Sequence, residues 1–136
     1  MRALMFSDKW FEKFRENINS NKNYEEYAAD WEGDIVISIK GDSMSQFFRK
    51  GELKNVKLEL FHGKCKSISF PASISEGEVP YILEGTATVW ENILSGKVNV
   101  ITAMLKGDVN VKGDVRKLMK YVNAAQELVK SACSVD

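Results

Sequence analysis

The chain is poor in the side chains that most enzymes and metal sites are built from. It has one histidine, His62, and two cysteines, Cys65 and Cys133. A hydrolase triad would need His62 as its base, yet no Gly-x-Ser-x-Gly elbow is present. His62 precedes Gly63 and reads as an exposed turn residue. His62 and Cys65 have ligand-like spacing, but no second pair follows, and structural zinc takes four ligands. No metal and no cofactor is expected. Gly96-Lys97 and the run from Gly107 to Gly113 lack the Gly-Lys-Ser/Thr ending of a phosphate loop. The two cysteines lie far apart in sequence and read as reduced thiols of a cytoplasmic protein.

Net charge is also missing. Nineteen basic residues balance nineteen acidic ones. A nucleic-acid binder normally carries a basic excess, so nucleic acid is not an expected partner. Strong electrostatic docking to membranes is not expected either. No uncharged stretch approaches the roughly 20 residues of a membrane span. Met1 to Phe6 is too short for a signal peptide. Any membrane contact is expected to be transient. The acids Asp34, Asp42, Glu76, Glu78 and Asp108 fall at turns or strand edges and read as solvated surface carboxylates. A carboxylate pair for acid–base work stays open, because spacing in the fold is not legible here.

What the chain has is apolar surface. It is 136 residues long, 44% hydrophobic and 28% charged, the composition of one globular domain spanning 1–136. That length allows a real core with volume to spare for a cavity. Ser7 is placed to cap a first helix in which Trp10, Phe11, Phe14 and Ile18 share a face. Asn23, with Glu26 three residues on, predicts a second helix carrying Tyr24, Tyr27, Ala28 and Trp31 and ending at Gly33. Asp34 to Lys40 alternates as a strand, with Ile35, Ile37 and Ile39 on one side and Val36, Ser38 and Lys40 on the other. Met44 to Gly51 is ambiguous between a loop and an extension of the sheet. Val56 to Phe61 and Cys65 to Phe70 predict an antiparallel hairpin about His62-Gly63-Lys64. Pro71 to Pro80 reads as a surface loop long enough to cross the sheet, and Val79 to Thr88 as a fourth strand.

Residues 85 to 114, GTATVWENILSGKVNVITAMLKGDVNVKGD, are the most informative stretch. Thr88 and Glu91 stand in capping-box spacing, predicting a helix from Val89 with Trp90, Ile93 and Leu94 on its apolar face. Gly96 is placed as a left-handed stop, Asn99 as the next cap and Gly107 as the next stop. Asp108 to Lys112 then alternates as a half-buried strand. Asp114 predicts the cap of a long final helix, with Val115, Leu118, Met119, Val122, Ala125, Val129 and Ala132 along one stripe. Glu127 falls on its polar side. The order of elements predicts an α+β fold: a mostly antiparallel sheet of about five strands with helices covering one face.

The ordered set Trp90, Ser95-Gly96-Lys97, Ala103, Gly107 and Gly113-Asp114 resembles the signature of the sterol carrier protein type-2 domain family. The opening, through Trp31-Glu32-Gly33-Asp34, looks like that family's as well. The likeness is weakest from Ser43 to Pro80. It implies a non-catalytic carrier holding a fatty acyl, sterol-like or other long apolar ligand in a tunnel between sheet and helices. The lipid-binding residues so implied are Phe14, Ile18, Tyr27, Trp31, Ile37, Leu83, Trp90, Ile93, Leu94, Ile101, Met104, Leu105, Leu118, Met119 and Val122. Those on helices are expected to point at the sheet. Apolar stripes equally describe an ordinary filled core, and then the fold suits an assembly module of a metabolic enzyme system, with a homodimer left open. An enzyme acting on a bound acyl or steroid substrate needs a His, Cys or acid facing the cavity, and neither thiol has a visible basic partner.

Overall fold

The computed structural model describes residues 4–75 and 77–135. The readings of Glu76 and of the first three residues lie outside them. Eleven elements follow in order: α1 (Asp8–Ser20), α2 (Lys22–Tyr27), β1 (Ile35–Lys40), β2 (Leu53–Phe61), β3 (Lys64–Ser69), β4 (Tyr81–Thr86), α3 (Ala87–Leu94), α4 (Val100–Lys106), β5 (Asn110–Lys112), α5 (Val115–Met119) and α6 (Val122–Cys133). The sheet runs β3-β2-β1-β4-β5. β4 lies parallel to β1, and every other neighbouring pair is antiparallel. The expected α+β architecture is present.

Register decides the faces. Ile35, Ile37 and Ile39 stand beside Leu58, Val56 and Lys54 on β2 and beside Tyr81, Leu83 and Gly85 on β4. Apart from Lys54 and Gly85 these side chains are buried, and they join Trp10, Phe14, Ile18, Trp90 and Ile93 in one core. Val36 and Ser38 belong to the opposite face, where alternation predicts solvent. They are buried too. The crossing loop explains this: the Asn55 side chain donates to the carbonyls of Pro71 and Ala72 and accepts from Ser38 Oγ at 3.0 Å. The connection from β3 to β4 therefore lies across the middle of the second face and covers β1 from behind.

Capping follows the sequence at five of the expected positions, with Gly96 the left-handed residue past α3 at φ 84°. Ser7 accepts from the Trp10 amide, Asn99 from Ile101 and Thr102, and Asp114 from Lys117. Gly107 ends α4 at φ 84°, a conformation that L side chains rarely adopt. α2 differs. Asn21, not Asn23, is its cap, and it stops at Tyr27. Trp31 lies past the helix, held by its indole N–H on the Gly33 carbonyl at 2.8 Å. α1 meanwhile seals the β3 edge. Arg15 Nε and Asn19 Nδ2 donate to the carbonyls of Lys66 and Cys65, and Asn19 Oδ1 accepts from the Cys65 amide. An edge covered in this way offers nothing to a passing strand.

The expected long final helix is two. After Met119 the hydrogen bonds tighten: Lys120 N and Tyr121 N reach carbonyls three residues back, at Lys117 and Leu118. Tyr121 packs edge-on against Trp31 at 4.8 Å between ring centroids and donates its hydroxyl to Asp30. The break shifts the phase of α6. Its buried residues are Ala124, Glu127, Ser131 and Ala132. Val115, expected inside, is 43% exposed, and Glu127, expected outside, is 7% exposed. α6 faces the corner between α1 and α2 as well as α3 and α4, so its buried side must match a polar corner.

Burial also sets a pH response. Desolvation pushes the Cys65 thiol up from 9.0 to about 11. The folded state thus favours the protonated thiol. This contribution is complete below pH 9 and disappears as pH rises through 11. Wild type should lose more stability between about pH 8.5 and 11 than Cys65→Ala does, read as the difference in urea midpoints. Parallel curves would refute it.

Candidate functional site

Two places in the fold border on the space where a ligand is expected. The first is the seam beneath α5 and α6, walled by Tyr24, Ala28, Trp31, Ile35, Leu60, Leu118, Tyr121, Ala124, Ala125 and Leu128. Its walls are almost entirely carbon, but its free volume is only about 30 Å³. Binding sites for small molecules are usually about 300–1,000 Å³. The seam is closed in this conformation and has no room for a long ligand.

The second is a groove of about 490 Å³ where the start of α1, the loop after β1, α3 and the end of α6 meet. Leu4, Met5, Trp10, Phe47, Leu94, Ala132 and Val135 supply its apolar lining. Gln46, Glu91, Asn92, Ser95, Lys97 and Cys133 supply its polar one. Trp10, Leu94 and Ala132 also belong to the core cluster, so the floor of the groove is the core itself.

The loop that forms one wall is held by the residues read from sequence as a capping box. Thr86, not Thr88, caps α3, so the helix starts two residues early. Thr88 Oγ1 instead donates to Asp42 Oδ1 at 2.7 Å, and that bond holds the Asp42 carboxyl below its ordinary range. Glu91 accepts from Ser45 Oγ at 2.5 Å and from the Gln46 amide at 3.2 Å. Gly41 lets the loop close. A Cβ there would stand 1.8 Å from the Arg49 carbonyl oxygen, well inside contact distance. Phe47 is thereby carried against Phe6, with centroids 5.7 Å apart.

The implied lipid-binding residues divide by burial. Phe14, Ile18, Trp31, Ile37, Leu83, Trp90, Ile93, Leu94 and Leu118 are buried in the core. Ile101, Met104, Met119 and Val122 are half-buried. Tyr27 is 46% exposed and Leu105 76% exposed, so neither points at the sheet as expected. In α2 it is Tyr24, at 1% exposure, that turns inward. Leu105 sits in the last turn of α4, on the side away from buried Val100 and Ala103. Of the fifteen, Trp31 and Leu118 line the seam and Leu94 lines the groove. Leu4, Met5, Phe47, Ala132 and Val135 were missed as groove residues. The pair Phe47-Phe48 inside a polar loop was the available signal.

The site contains no triad. His62 pairs with Glu32 at 2.6 Å on the surface, and both are exposed. No group of three or more potential metal ligands occurs among the described residues. Burial raises the pKa of both thiols, which keeps them poor nucleophiles at neutral pH. No helix among the described residues is long and apolar enough to cross a membrane. What this arrangement supplies is an apolar cleft with a polar rim.

Comparison with known proteins supplies the frame for that cleft. Residues 11–126 match the model of the SCP-2 sterol transfer family. The chain belongs to that family. A crystal structure of sterol carrier protein 2 is 27% identical, superposes with a TM-score of 0.85, and covers 98% of this chain and 100% of its own. A Thermus thermophilus protein described as possibly a sterol carrier protein is 26% identical, with a TM-score of 0.82 over 99% of this chain and 92% of its own. Sterol carrier protein 2 from Yarrowia lipolytica, in its apo form, is 20% identical with a TM-score of 0.61, covering 91% of this chain and 89% of its own, and shares the fold. No curated protein matches. Family membership and the shared fold agree with the resemblance seen in residues 85 to 114.

Proposed function

We propose that this protein is a small carrier of long apolar molecules and binds them without transforming them. The ligand's chain lies in the groove between α1, α3 and α6, and the seam beneath α6 opens to receive the rest. The observation that carries this reading is the groove: about 490 Å³, floored by core side chains and rimmed by polar ones. That division suits an amphiphile whose chain goes in and whose head stays out. Family membership and the 27% identical sterol carrier protein 2 support the ligand class.

Desolvation supplies the affinity. Each methylene removed from water contributes about 0.8 kcal/mol, so about sixteen carbons give roughly 12 kcal/mol at most. Association takes back about 4–15 kcal/mol. Useful affinity therefore requires that opening the seam costs little. Half-buried Met5, which lines the groove, suits a site that accepts several shapes, because thioether chains repack easily.

Native mass spectrometry of the purified protein, with extraction of whatever it releases, tests the ligand class. Titration with fluorescent fatty acyl probes tests the place. Cys133 is exposed and lines the groove, so Cys133→Trp fills it with little disturbance to the core. We expect probe affinity to fall by about tenfold, near 1.4 kcal/mol, with the thermal midpoint almost unchanged. Unaltered uptake in Cys133→Trp would remove the groove from the binding path. No uptake by wild type would remove the carrier reading altogether.

A further inference from the structure

A second open hollow, about 640 Å³ and larger than the groove, lies on the other face of the sheet. Ile74, Val79, Pro80 and Ile82 supply its apolar walls, and Lys112 with Gly77 and Gly113 completes them. Register fixes its place. Val36, Ile82 and Lys112 stand side by side on β1, β4 and β5, on the face turned away from the core. The sheet itself therefore separates this hollow from the groove and the seam.

The connection from β3 to β4 roofs the hollow and is pinned at both ends. Asn55 holds the carbonyls of Pro71 and Ala72. At the other end Val79 is buried and Pro80 fits between two glycines. A Cβ on Gly33 would stand 3.2 Å from the Pro80 ring, and one on Gly113 would stand 2.5 Å from the Pro80 carbonyl oxygen. A roof anchored on both sides cannot settle freely onto half-buried Ile82, so the space beneath it is built into the fold.

The lining selects a chemistry. Three aliphatic side chains and a proline ring face one cation, and no carboxylate lines the hollow among the described residues. Lys112 leans on Glu84 across the strands at 3.5 Å, but its side chain is 60% exposed. Such a surface ion pair holds an ammonium weakly, and the group has three donors. A neutral apolar molecule would leave that charge unused. An extended peptide fits poorly as well, because β5 has only three residues on which to template an added strand. The complement is a compact apolar body carrying one carboxylate.

We propose that the back of the sheet is a second binding site, for a compact aromatic carboxylic acid whose ring lies on Ile74, Val79 and Ile82 and whose carboxylate accepts from Lys112 Nζ. The site is separate from that of the carried ligand, and neither its argument nor its test needs the carrier reading.

Amide chemical-shift titration of the intact protein with 2-naphthoate tests it. The signals of Ile74, Gly77, Val79, Ile82, Lys112 and Gly113 should move together, while those of the groove residues Leu94, Ser95 and Lys97 stay in place. Naphthalene-2-carboxamide has the same ring without the charge and should bind about tenfold more weakly, because a charge-assisted hydrogen bond is about twice as strong as a neutral one. Lys112→Met keeps the apolar stem and should erase that difference. Ile74→Glu sets a carboxylate in the hollow and should weaken naphthoate binding by about tenfold as well. Fluorescent acyl probes should bind both variants as they bind wild type, since neither residue lines the groove or the seam. Shifts confined to the groove, no shift at all, equal affinity for acid and amide, or unchanged naphthoate binding in Lys112→Met would each overturn the site and leave the carrier reading intact. Displacement of naphthoate by an acyl probe would overturn it too, by placing both in one site. Failure of wild type to take up acyl probes would remove the carrier reading and leave the naphthoate result standing.

Discussion

Trp90→Ala should cost about 3–5 kcal/mol of folding stability, the range for deleting a fully buried large aromatic. The indole is 2% exposed, at the centre of the α3 face, and its Nε1 donates to the Ser38 carbonyl at 3.2 Å. Gly85 makes room for it: a Cβ there would come within 3.1 Å of Nε1. Removing the ring opens a cavity at the junction of β1, β4 and α3 and strips a partner from a buried carbonyl, so the transfer and hydrogen-bond losses add. Trp90→Phe should keep much of the volume and lose less. Urea denaturation monitored by far-UV circular dichroism reads both. A loss below about 1 kcal/mol for Trp90→Ala would mean that the site collapses freely and that α3 is not anchored through this ring.

That anchor was legible in the sequence for a physical reason. Trp90, Ile93 and Leu94 repeat at helical spacing, and a helix packed on one sheet face buries one stripe; pattern and burial therefore coincide. The same logic found Phe14 and Ile18 on α1, and the strands of the sheet in order. It failed wherever burial is set by chain crossings distant in sequence. Val36 alternates as a solvent-facing residue, but the connection from β3 to β4 covers it. Thr88 and Glu91 have cap spacing, yet Thr86, the last residue of β4, takes the cap and frees both side chains to hold the loop at 42–45. Local spacing cannot rank two competing caps when one is fixed by the strand before it. Family resemblance supplied the fold and the ligand class. It did not locate the groove, because Leu4, Phe47 and Val135 come together only at the end of the sheet, where no periodicity connects them.

The largest effect on ligand exchange should come from a single atom at the start of α2. The buried side of α6 is small and partly polar: Ala124, Glu127, Ser131 and Ala132. Half-buried Leu128 and Val129 add apolar packing against the core, and hydrogen bonds hold the polar part of this side. Asn21 Nδ2 directs its two N–H groups at three acceptors, Glu127 O at 3.2 Å, Glu127 Oε1 at 3.3 Å and Ser131 Oγ at 3.0 Å. Asn17 Nδ2 adds another bond, to Ser131 O at 3.0 Å. Asn21→Asp keeps the cap of α2, since the retained oxygen still accepts from Tyr24 and aspartate caps as well as asparagine. It replaces the donor with a carboxylate facing Glu127. A buried acceptor left without its donor costs about 1–3 kcal/mol, and two carboxylates in contact add repulsion. At about 1.36 kcal/mol per decade, α6 should open about 5–150 times more often. Hydrogen exchange should accelerate across 122–133 while β1 and β2 stay protected, and acyl probes should associate faster. Acid should reverse the change: two carboxylates in contact share a proton, so the pair's upper pKa is raised, and protonation restores a donor. Uniform acceleration of exchange through the sheet would show that α6 is part of the global folding unit, and the seam beneath it could then not serve as the path by which a ligand is received.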